Sequence, residues 1–369
     1  MRVLITADTV GGIWTYAREL VSGLVRRGVQ VTLVSFGHIP EPQQLAWTEG
    51  LRNLDFRPTA FRLEWMQDSA EDIEASSEYL LNVIRETSPD VLHLNQFCYG
   101  SLNVDIPKIV VAHSDVVSWW VAVHGEQPTR SAWMEWYRDV VQSGLDRATT
   151  VIAPSRWMLS QIETYYGPRQ QCGVIYNGRS PQYFNPHAEK DDMVLTVGRL
   201  WDSAKQVSLV TQYDCGWPVV IAGETEHPDE AYRGDSTRVV CEGTLELKGK
   251  QNQEQLRSLF ARAAIYAATS RYEPFGLALV EAALSRCAVV ANDIPSFREL
   301  WGETACYFQT NDAESLRDTV AKLRNDKLLW RHHAELVYQR ARRRYTAERM
   351  VDEYLETYAS LTADRSVAA

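Results

Sequence analysis

Short apolar runs alternate with longer amphipathic stretches along most of the chain. Residues 3–7 are almost uniformly apolar, which is typical of a parallel strand buried on both faces. A glycine turn follows at residues 8–12, and residues 13–27 then place apolar side chains at helical spacing. Because residues 31–35 are again mostly apolar, the order strand, helix, strand predicts an α/β domain.

The same alternation continues through two halves of the chain. In the first half it predicts strands at residues 91–94, 109–112 and 150–153 and helices near residues 70–87, 130–146 and 156–165. In the second half it predicts a helical tail from Asp312, helices between the strands, and strands at residues 194–198, 219–222, 239–241, 265–268 and 288–291. Turn residues concentrate at residues 177–192, which we interpret as the linker between two doubly wound halves.

Length and composition fit this interpretation. The chain has 369 residues, enough for two domains with a core each, and its apolar and charged fractions are those of a soluble globular protein. A net charge of −10 argues against a nucleic-acid-binding protein, whose surface carries a basic face. The six cysteines never form a Cys-x-x-Cys pair, so we expect reduced thiols and no metal site.

Membrane insertion and export are not expected from the sequence. No apolar run approaches the length needed to cross a bilayer. The run that follows Met1 is too short for a signal peptide and has no cleavage-like region behind it. We therefore predict a cytoplasmic protein without a transmembrane segment.

The most informative stretch is residues 273–281, which spans a predicted loop-to-helix junction. Pro274 disfavours helical backbone before it, and Gly276 leaves the start of the helix open to an anion such as phosphate. Glu281, about one turn further in, is suited to accept hydrogen bonds from ribose hydroxyls. The alternative is that Glu281 is an ordinary exposed helix position and that Glu273 is an acidic residue at the helix N-terminus.

Further candidates follow the first predicted strand of each half. Gly11 and Gly12 open the first helix, where they suit either a ligand close to the backbone or a simple tight turn. Arg199 follows the first strand of the second half, and Lys205 lies six residues beyond it. Two cations there could hold a diphosphate without a metal, since each charge-assisted hydrogen bond contributes roughly 1.5–3 kcal/mol. The alternatives are that Lys205 is a solvated residue at a helix end and that Arg199 forms a salt bridge at a domain interface.

Together these motifs resemble the retaining, nucleotide-sugar-dependent glycosyltransferases of family 4, which include glycogen-synthase-like and sucrose-phosphate-synthase-like group 1 transferases. The resemblance runs nearly from end to end of the chain. It rests on residues 11–12, 89–93, 153–155, 174–178, 197–199 with Lys205, 273–281 and 345–358.

The resemblance implies the GT-B fold. In that fold two Rossmann-like, doubly wound α/β domains face a central cleft, and the C-terminal helix crosses back to the N-terminal domain. For this chain it implies an acceptor-binding domain of residues 1–180 with the helix 346–369, and a donor-binding domain of residues 181–345.

The resemblance also implies roles for the residues of the second half. Arg199 and Lys205 would bind the diphosphate, Glu281 the ribose, and Glu273 the donor sugar. The backbone amides of Phe275, Gly276 and Leu277 would meet sugar hydroxyls or phosphate. Arg199, Lys205 and Glu273, with His113 of the first half, are the catalytic residues that it implies.

In the first half, the family's glycine turn corresponds to Gly11 and Gly12, and its donor-facing histidine to His113. The acceptor is expected near Trp119, Trp120 and His124, because sugars stack on indole rings. We expect the other tryptophans of that region to lie in the core. These are Trp65, Trp133 and Trp136.

The implied activity is glycosyl transfer to an acceptor hydroxyl with retention at the anomeric carbon. No carboxylate stands out as an opposite-face nucleophile, which fits the front-face route in which the leaving phosphate helps to remove the acceptor proton. Neither a metal nor another cofactor is expected. The expected partners are a nucleotide-sugar donor and a small-molecule or saccharide acceptor, with a soluble one preferred because residues 66–74 are acidic rather than basic.

Two other functions remain open at this point, and the base, the sugar and the acceptor are not specified. One is a GT-B epimerase that acts on a nucleotide sugar, and the other is a catalytically idle homologue that binds a nucleotide. A Rossmann dehydrogenase is disfavoured because the turn at residues 8–12 lacks the full Gly-x-Gly-x-x-Gly spacing.

The chain departs from the family pattern in three places. Arg286 and Ala288 stand where the family has a helix-ending glycine and a proline, so we expect a different turn there. Residues 294–297 replace a glycine pair that contacts the donor. Lys205 comes one residue late, so the loop at residues 200–204 must bulge.

Overall fold

The computed structural model describes residues 1–9, 11–225 and 244–368. The predicted strand at residues 239–241 lies outside the described residues. Internal contacts divide the chain into two compact units. Unit 1 consists of Met1–Val121, Glu126–Gly178 and Ala347–Ala369, and unit 2 of Ala122–Gly125 and Arg179–Thr346.

Unit 1 is built on a seven-stranded sheet with the order β3-β2-β1-β4-β5-β6-β7, in which every pairing is parallel. The strands and α-helices of residues 1–174 are β1 Arg2–Asp8, α1 Gly12–Arg26, β2 Gln30–Phe36, α2 Pro42–Leu45, β3 Leu54–Pro58, α3 Ala70–Thr87, β4 Val91–Leu94, β5 Lys108–Val111, α4 Val116–His124, α5 Ala132–Arg147, β6 Thr150–Ala153, α6 Arg156–Tyr166 and β7 Cys172–Val174. The end of α4, from Ala122, is counted with unit 2.

The strands that the apolar runs predicted are the buried ones of this sheet. Every residue of β4, β5 and β6 is buried, as expected for parallel strands covered on both faces. The edge strands β3 and β7 were not predicted. Both are partly exposed, and β3 contains Asp55, Arg57 and Pro58, so neither carries an apolar run.

Unit 2 contains a six-stranded parallel sheet with the order β10-β9-β8-β11-β12-β13. Among the described residues, its strands and α-helices are β8 Asp191–Val197, β9 Val219–Ala222, β10 Leu245–Gly249, α7 Gln253–Arg262, β11 Ala263–Ala268, α8 Leu277–Leu284, β12 Ala288–Asn292, α9 Pro295–Trp301, β13 Cys306–Phe308, α10 Ala313–Asn325 and α11 Lys327–Arg344.

The prediction of α-helices between all strands of this half is wrong for the first connection. Between β8 and β9 the chain forms a short 3₁₀ helix, Val207–Thr211. Gln206 precedes it with a left-handed φ of 45°, and three of the five residues of the 3₁₀ helix are β-branched. Left-handed backbone interrupts helical geometry and β-branched side chains lose rotamer freedom in a helix, so neither favours a longer α-helix here.

The last helix, α12 Ala347–Ala368, belongs to unit 1 and lies against α1 and β4. His93 in β4 is completely buried, and both of its ring nitrogens have a partner. The hydroxyl of Tyr16 on α1 lies 3.0 Å from Nε2, and that of Tyr358 on α12 lies 2.8 Å from Nδ1. One histidine therefore joins the first helix, a central strand and the last helix, and the expected return of the C-terminal helix to the N-terminal domain is confirmed.

Burial, rather than the choice of partners, keeps His93 neutral, because a tyrosine hydroxyl can either donate or accept. Burial, together with the neighbouring His113, lowers the pKa of His93 to about 3. A neutral imidazole donates through one nitrogen and accepts through the other, so one tyrosine accepts and the other donates.

The turn after α8 keeps the backbone conformation of a glycine although it contains none. Arg286 adopts a left-handed φ of 57°, so the expectation of a different turn is wrong. Its guanidinium lies 3.2 Å from a carboxylate oxygen of Glu335 and 4.4 Å from the ring centroid of Tyr338. Both contacts are with α11, and they offset part of the cost of about 1 kcal/mol for a side chain in this conformation.

His93→Gln is expected to flatten the pH dependence of stability. The pKa of an unfolded histidine is ~6.5 and that of folded His93 is about 3, so the stabilisation from neutral His93 is fully present above the unfolded pKa and is lost as the pH falls towards 3. Between pH 7 and pH 5 the wild type should lose about 2 kcal/mol more than the variant. Urea unfolding at both pH values measures this difference, and equal losses would contradict it.

At position 286, the Arg286→Gly variant is expected to be more stable than Arg286→Ala by about 1 kcal/mol, because only glycine tolerates the left-handed backbone without strain. Both variants lose the same contacts with α11, so their difference isolates the backbone effect. Lys322 is the control, an exposed position within α10. There the glycine variant should be the less stable of the two by about 1 kcal/mol. The melting temperatures of the four variants test whether glycine is more stable than alanine at position 286 and less stable than alanine at position 322.

Candidate functional site

The sheet order of unit 2 identifies one position for a ligand. The strand β8 lies in the interior of the sheet, with β9 on one side and β11 on the other, so the chain reverses its direction of winding between β8 and β11. In open α/β sheets, ligands bind beyond the carboxyl ends of the strands at such a point. Lys205 comes from the loop after β8 and Glu273 from the loop after β11.

Lys205 and Glu273 form an ion pair at this position. The ammonium nitrogen lies 2.6 Å from a carboxylate oxygen, and the two side chains are 22% and 18% exposed. The two loops are also joined through the backbone, because the hydroxyl of Thr269 donates to the carbonyl of Lys205 and the amide of Arg271 to that of Ala204. Two of the predicted residues, 68 positions apart, are therefore held together at an accessible edge of the sheet.

Arg199 lies at the start of the same loop and pairs with Asp202. Its guanidinium donates to Asp202 at 2.7 Å and stacks over the ring of Trp201 at 4.7 Å. Two consecutive turns, closed at Asp202 and at Lys205, take up the extra residue of the loop. Burial alone would raise the pKa of Asp202, but Arg199 and Lys205 together hold it below its ordinary value. Asp202 was not predicted.

Helix α8 begins at the predicted junction. Gly276 precedes it with a left-handed φ of 83°, and a Cβ there would lie 3.2 Å from Cγ of Glu273. Leu277 is the first residue of the helix, and Phe275 is buried with its ring edge-on to Tyr345. The glycine thus lets the helix N-terminus come close to Glu273.

Glu281 lies in α8, but it is not the exposed position of the alternative interpretation. Only 7% of the residue is exposed, and its carboxylate lies 2.8 Å from Nε of Arg179, whose side chain is completely buried. Sequence reasoning missed Arg179. The only signal was a charged residue in the turn-rich linker, directly after Asn177 and Gly178.

Unit 1 has the same kind of reversal between β1 and β4. Gly11 and Gly12 follow β1 and are exposed, and Gly11 has a left-handed φ of 89°. The helix α1 starts at Gly12. The predicted glycine turn therefore places a helix N-terminus at the carboxyl end of the sheet, where backbone amides suit an anion.

His113 follows β5 at the same edge of this sheet. Its Nε2 lies 2.7 Å from the side-chain oxygen of Asn95, which follows β4, and the ring of Tyr16 lies edge-on at 4.6 Å. Asn95 is itself held by Thr6. Its backbone N–H donates to the hydroxyl of Thr6 at 2.9 Å, and its side-chain amide donates to the carbonyl of Thr6 at 2.5 Å. Burial lowers the pKa of His113, which keeps the imidazole neutral. Sequence reasoning missed Asn95.

The predicted acceptor residues lie on α4, a helix that was not predicted. Asp115 holds its start, accepting from the amide of Ser118 at 2.7 Å and from the hydroxyl of Tyr166 at 2.6 Å. Trp119 and Trp120 are half-buried with their rings 6.4 Å apart.

His124, the third of these residues, is exposed at the end of α4. The remaining tryptophans pack against the core of unit 1, as predicted. These are Trp65, Trp133 and Trp136.

Two family profiles cover most of the chain. The profile of Glycosyltransferase Family 4 matches residues 10–183, and that of Glycosyl transferases group 1 matches residues 182–344. The chain belongs to the group 1 glycosyltransferases of family 4. This chain is therefore a glycosyltransferase.

Two curated relatives align with most of the glycosyltransferase. It is 23% identical to O-antigen chain mannosyltransferase C of Escherichia coli over 97% of both chains. It is 26% identical to the GDP-mannose:cellobiosyl-diphosphopolyprenol alpha-mannosyltransferase of Xanthomonas oryzae pv. oryzae over 76% of both chains.

Solved structures establish the fold of the glycosyltransferase. The structure of sucrose-phosphate synthase from Thermosynechococcus elongatus aligns over 99% of this chain and 100% of the synthase chain, at a TM-score of 0.79 and 16% identity. The structure of HepE of Anabaena, solved with UDP and glucose, aligns over 98% of this chain and 100% of the HepE chain, at a TM-score of 0.74 and 16% identity. With the two parallel sheets, these likenesses confirm the predicted GT-B fold.

Neither a membrane-spanning helix nor a metal-binding cluster occurs among the residues that the structure describes. None of the helices in the described part of the chain is long and apolar enough to span a membrane. Within residues 1–9, 11–225 and 244–368, no group of three or more His, Cys, Asp or Glu side chains is arranged to hold a metal ion.

Asn95→Asp is expected to raise the pKa of His113 by about 1 or more, because it places a carboxylate beside an imidazole whose burial disfavours protonation. An NMR titration of the histidine ring signals measures the value. Asn53→Asp, at an exposed position of unit 1, is the control and should leave His113 unchanged. An equal pKa in the wild type and Asn95→Asp would contradict the contact.

Proposed function

We propose that this glycosyltransferase transfers a hexosyl group from a nucleoside-diphosphate sugar to an acceptor hydroxyl with retention of anomeric configuration, without a metal ion. The observation that carries the proposal is the pairing of Lys205 with Glu273 at the β8 and β11 strand ends, with Arg199 on the same loop. This pairing puts cations for a diphosphate and a carboxylate for a sugar in one place.

The diphosphate is assigned to Arg199 and Lys205. Each of them pairs with a carboxylate here, Arg199 with Asp202 and Lys205 with Glu273. An ammonium group has three N–H donors and a guanidinium has five, so each cation can keep its carboxylate and still donate to phosphate. The N-terminus of α8, at Phe275, Gly276 and Leu277, adds backbone amides and the positive end of the helix dipole.

Charge separation is the barrier to this reaction. As the glycosidic bond breaks, positive charge grows on the anomeric carbon and negative charge on the leaving diphosphate. Fixed cations stabilise the growing negative charge more than the ground state, which lowers the barrier. An oxygen of the leaving phosphate takes the proton of the acceptor hydroxyl on the face from which the phosphate departs, so the configuration is retained.

In this assignment Glu273 recognises the hydroxyls of the donor sugar and orients Lys205, and His113 contributes a neutral imidazole as a hydrogen-bonding partner of the sugar. Glu281 binds the ribose. Gly11 and Gly12 let the donor approach the backbone of unit 1. Trp119, Trp120 and His124 are proposed to contact a small-molecule or saccharide acceptor.

Mannose from GDP-mannose is the first donor to test, because the names of the curated relatives include mannosyltransferases and one that uses GDP-mannose. The other bases and sugars complete the panel. Conversion of the sugar without an acceptor would instead indicate an epimerase, and binding without turnover an idle homologue.

Lys205→Ala and Glu273→Ala are each expected to lower kcat/KM for transfer about 100-fold or more, the usual loss when one preorganised electrostatic contact to the transition state is removed. The matched controls are Lys248→Ala and Glu246→Ala, which break an ion pair of the same kind on the more exposed strand β10. These controls should retain wild-type activity. Unchanged transfer in both site variants would end the assignment.

Stereochemistry and metal dependence are read from the same reaction. NMR of the product should show the anomeric configuration of the donor, and an inverted product would exclude the front-face route. Activity should be the same with EDTA and with Mg²⁺. Loss of transfer in EDTA that Mg²⁺ restores would contradict metal independence.

A further inference from the structure

Arg179 is the largest charged side chain that the described part of the chain buries completely, and the donor assignment leaves it without a role. Its Nε lies 2.8 Å from Oε1 of Glu281, and its Nη2 donates to Gln253 at 3.1 Å. Its guanidinium also lies 5.5 Å from the ring centroid of Phe184. The backbone amide of Arg179 donates to the carbonyl of Tyr345 at 2.9 Å.

These contacts make the guanidinium a fixed group. Its backbone is anchored to the residue that follows α11, its guanidinium carbon lies over an aromatic ring, and one of its terminal nitrogens donates to Gln253 of α7. A planar, always charged guanidinium held in one orientation keeps its N–H donors at fixed positions around one plane. The carboxylate of Glu281 lies beside this plane's Nε, with Oε1 at 2.8 Å.

A carboxylate as enclosed as that of Glu281 needs such a partner to stay ionised. Burial disfavours the charged form, and a cation in direct contact restores it. A carboxylate can accept about four hydrogen bonds, so the contact with Arg179 does not exhaust it. The part of Glu281 that remains accessible is 9% of its side-chain surface, which restricts any ligand contact to one edge.

We propose that Arg179 is a positioning residue, which holds the carboxylate of Glu281 ionised and oriented so that its accessible edge accepts hydrogen bonds from the ribose diol of a nucleoside diphosphate. This inference rests on the proposed function, since it concerns the donor. It assigns Arg179 no contact with the donor itself.

A purely structural ion pair would have the same geometry, so the test must measure recognition of the ribose rather than activity or stability alone. The quantity to measure is the ribose preference, which is the dissociation constant of a 2′,3′-dideoxynucleoside diphosphate divided by that of the corresponding nucleoside diphosphate. GDP and 2′,3′-dideoxy-GDP are the first probes, and UDP, ADP and CDP follow. The wild type should prefer the ribose form at least about tenfold, as one hydrogen bond to a charged group provides.

Isothermal titration calorimetry of the full chain should show that Glu281→Gln and Arg179→Met each reduce this preference to about threefold or less. The double variant should show no further loss, because both changes act on one carboxylate. Arg286→Met is the matched control, an arginine of the same unit paired with Glu335 and stacked on Tyr338, and it should keep the wild-type ratio.

Arg179→Lys covers the case in which Arg179→Met does not fold. It keeps the buried charge but lacks the planar donors, so it should fold and lose at least about threefold in preference. Circular dichroism establishes folding for each variant. A folded Arg179→Lys or Arg179→Met with the wild-type preference would overturn the proposal.

Nucleotide binding by the wild type distinguishes failure of the proposed function from failure of the role of Arg179. If it binds none of the four nucleoside diphosphates, the proposed function fails and the role of Arg179 falls with it. If it binds one of them and does not distinguish ribose from dideoxyribose, the transferase assignment stands and the role of Arg179 is overturned.

Discussion

The position of the first strand within each sheet is the constraint on which the remaining features depend. In both units the first strand lies inside the sheet, and later strands are added on its two sides. The connections on its two sides therefore leave the sheet in opposite directions. This leaves a crevice between them at the carboxyl ends of the strands. Side chains that are far apart in sequence, such as Lys205 and Glu273, meet there because their strands are neighbours.

The strands that the sequence predicts best are the buried ones. Interior strands such as β4, β5 and β9 are buried along their whole length and mostly apolar, and the sequence predicts their bounds to within one residue because both faces are covered. The edge strands β3 and β7 and the helix α4 lack that signal. The candidate residues at strand ends could be found from spacing and family resemblance.

Their supporting partners could not be found in this way. Asp202 and Asn95 are short polar residues in loops, a composition shared by any turn. Arg179 pairs with a residue more than a hundred positions away, and only the folded chain shows that the pair is buried. A single sequence carries no signal for such a pairing, because it depends on the sheet order and on packing around α8.

The triad of Tyr16, His93 and Tyr358 has a consequence for the order in which the chain folds. Unit 1 receives its last helix only after every residue of unit 2 has been synthesised, since α12 follows residue 346. Until then His93 lacks one of its two partners, and the face of α1 that α12 covers is open. On the ribosome, unit 2 can therefore finish folding before unit 1, although unit 1 begins first.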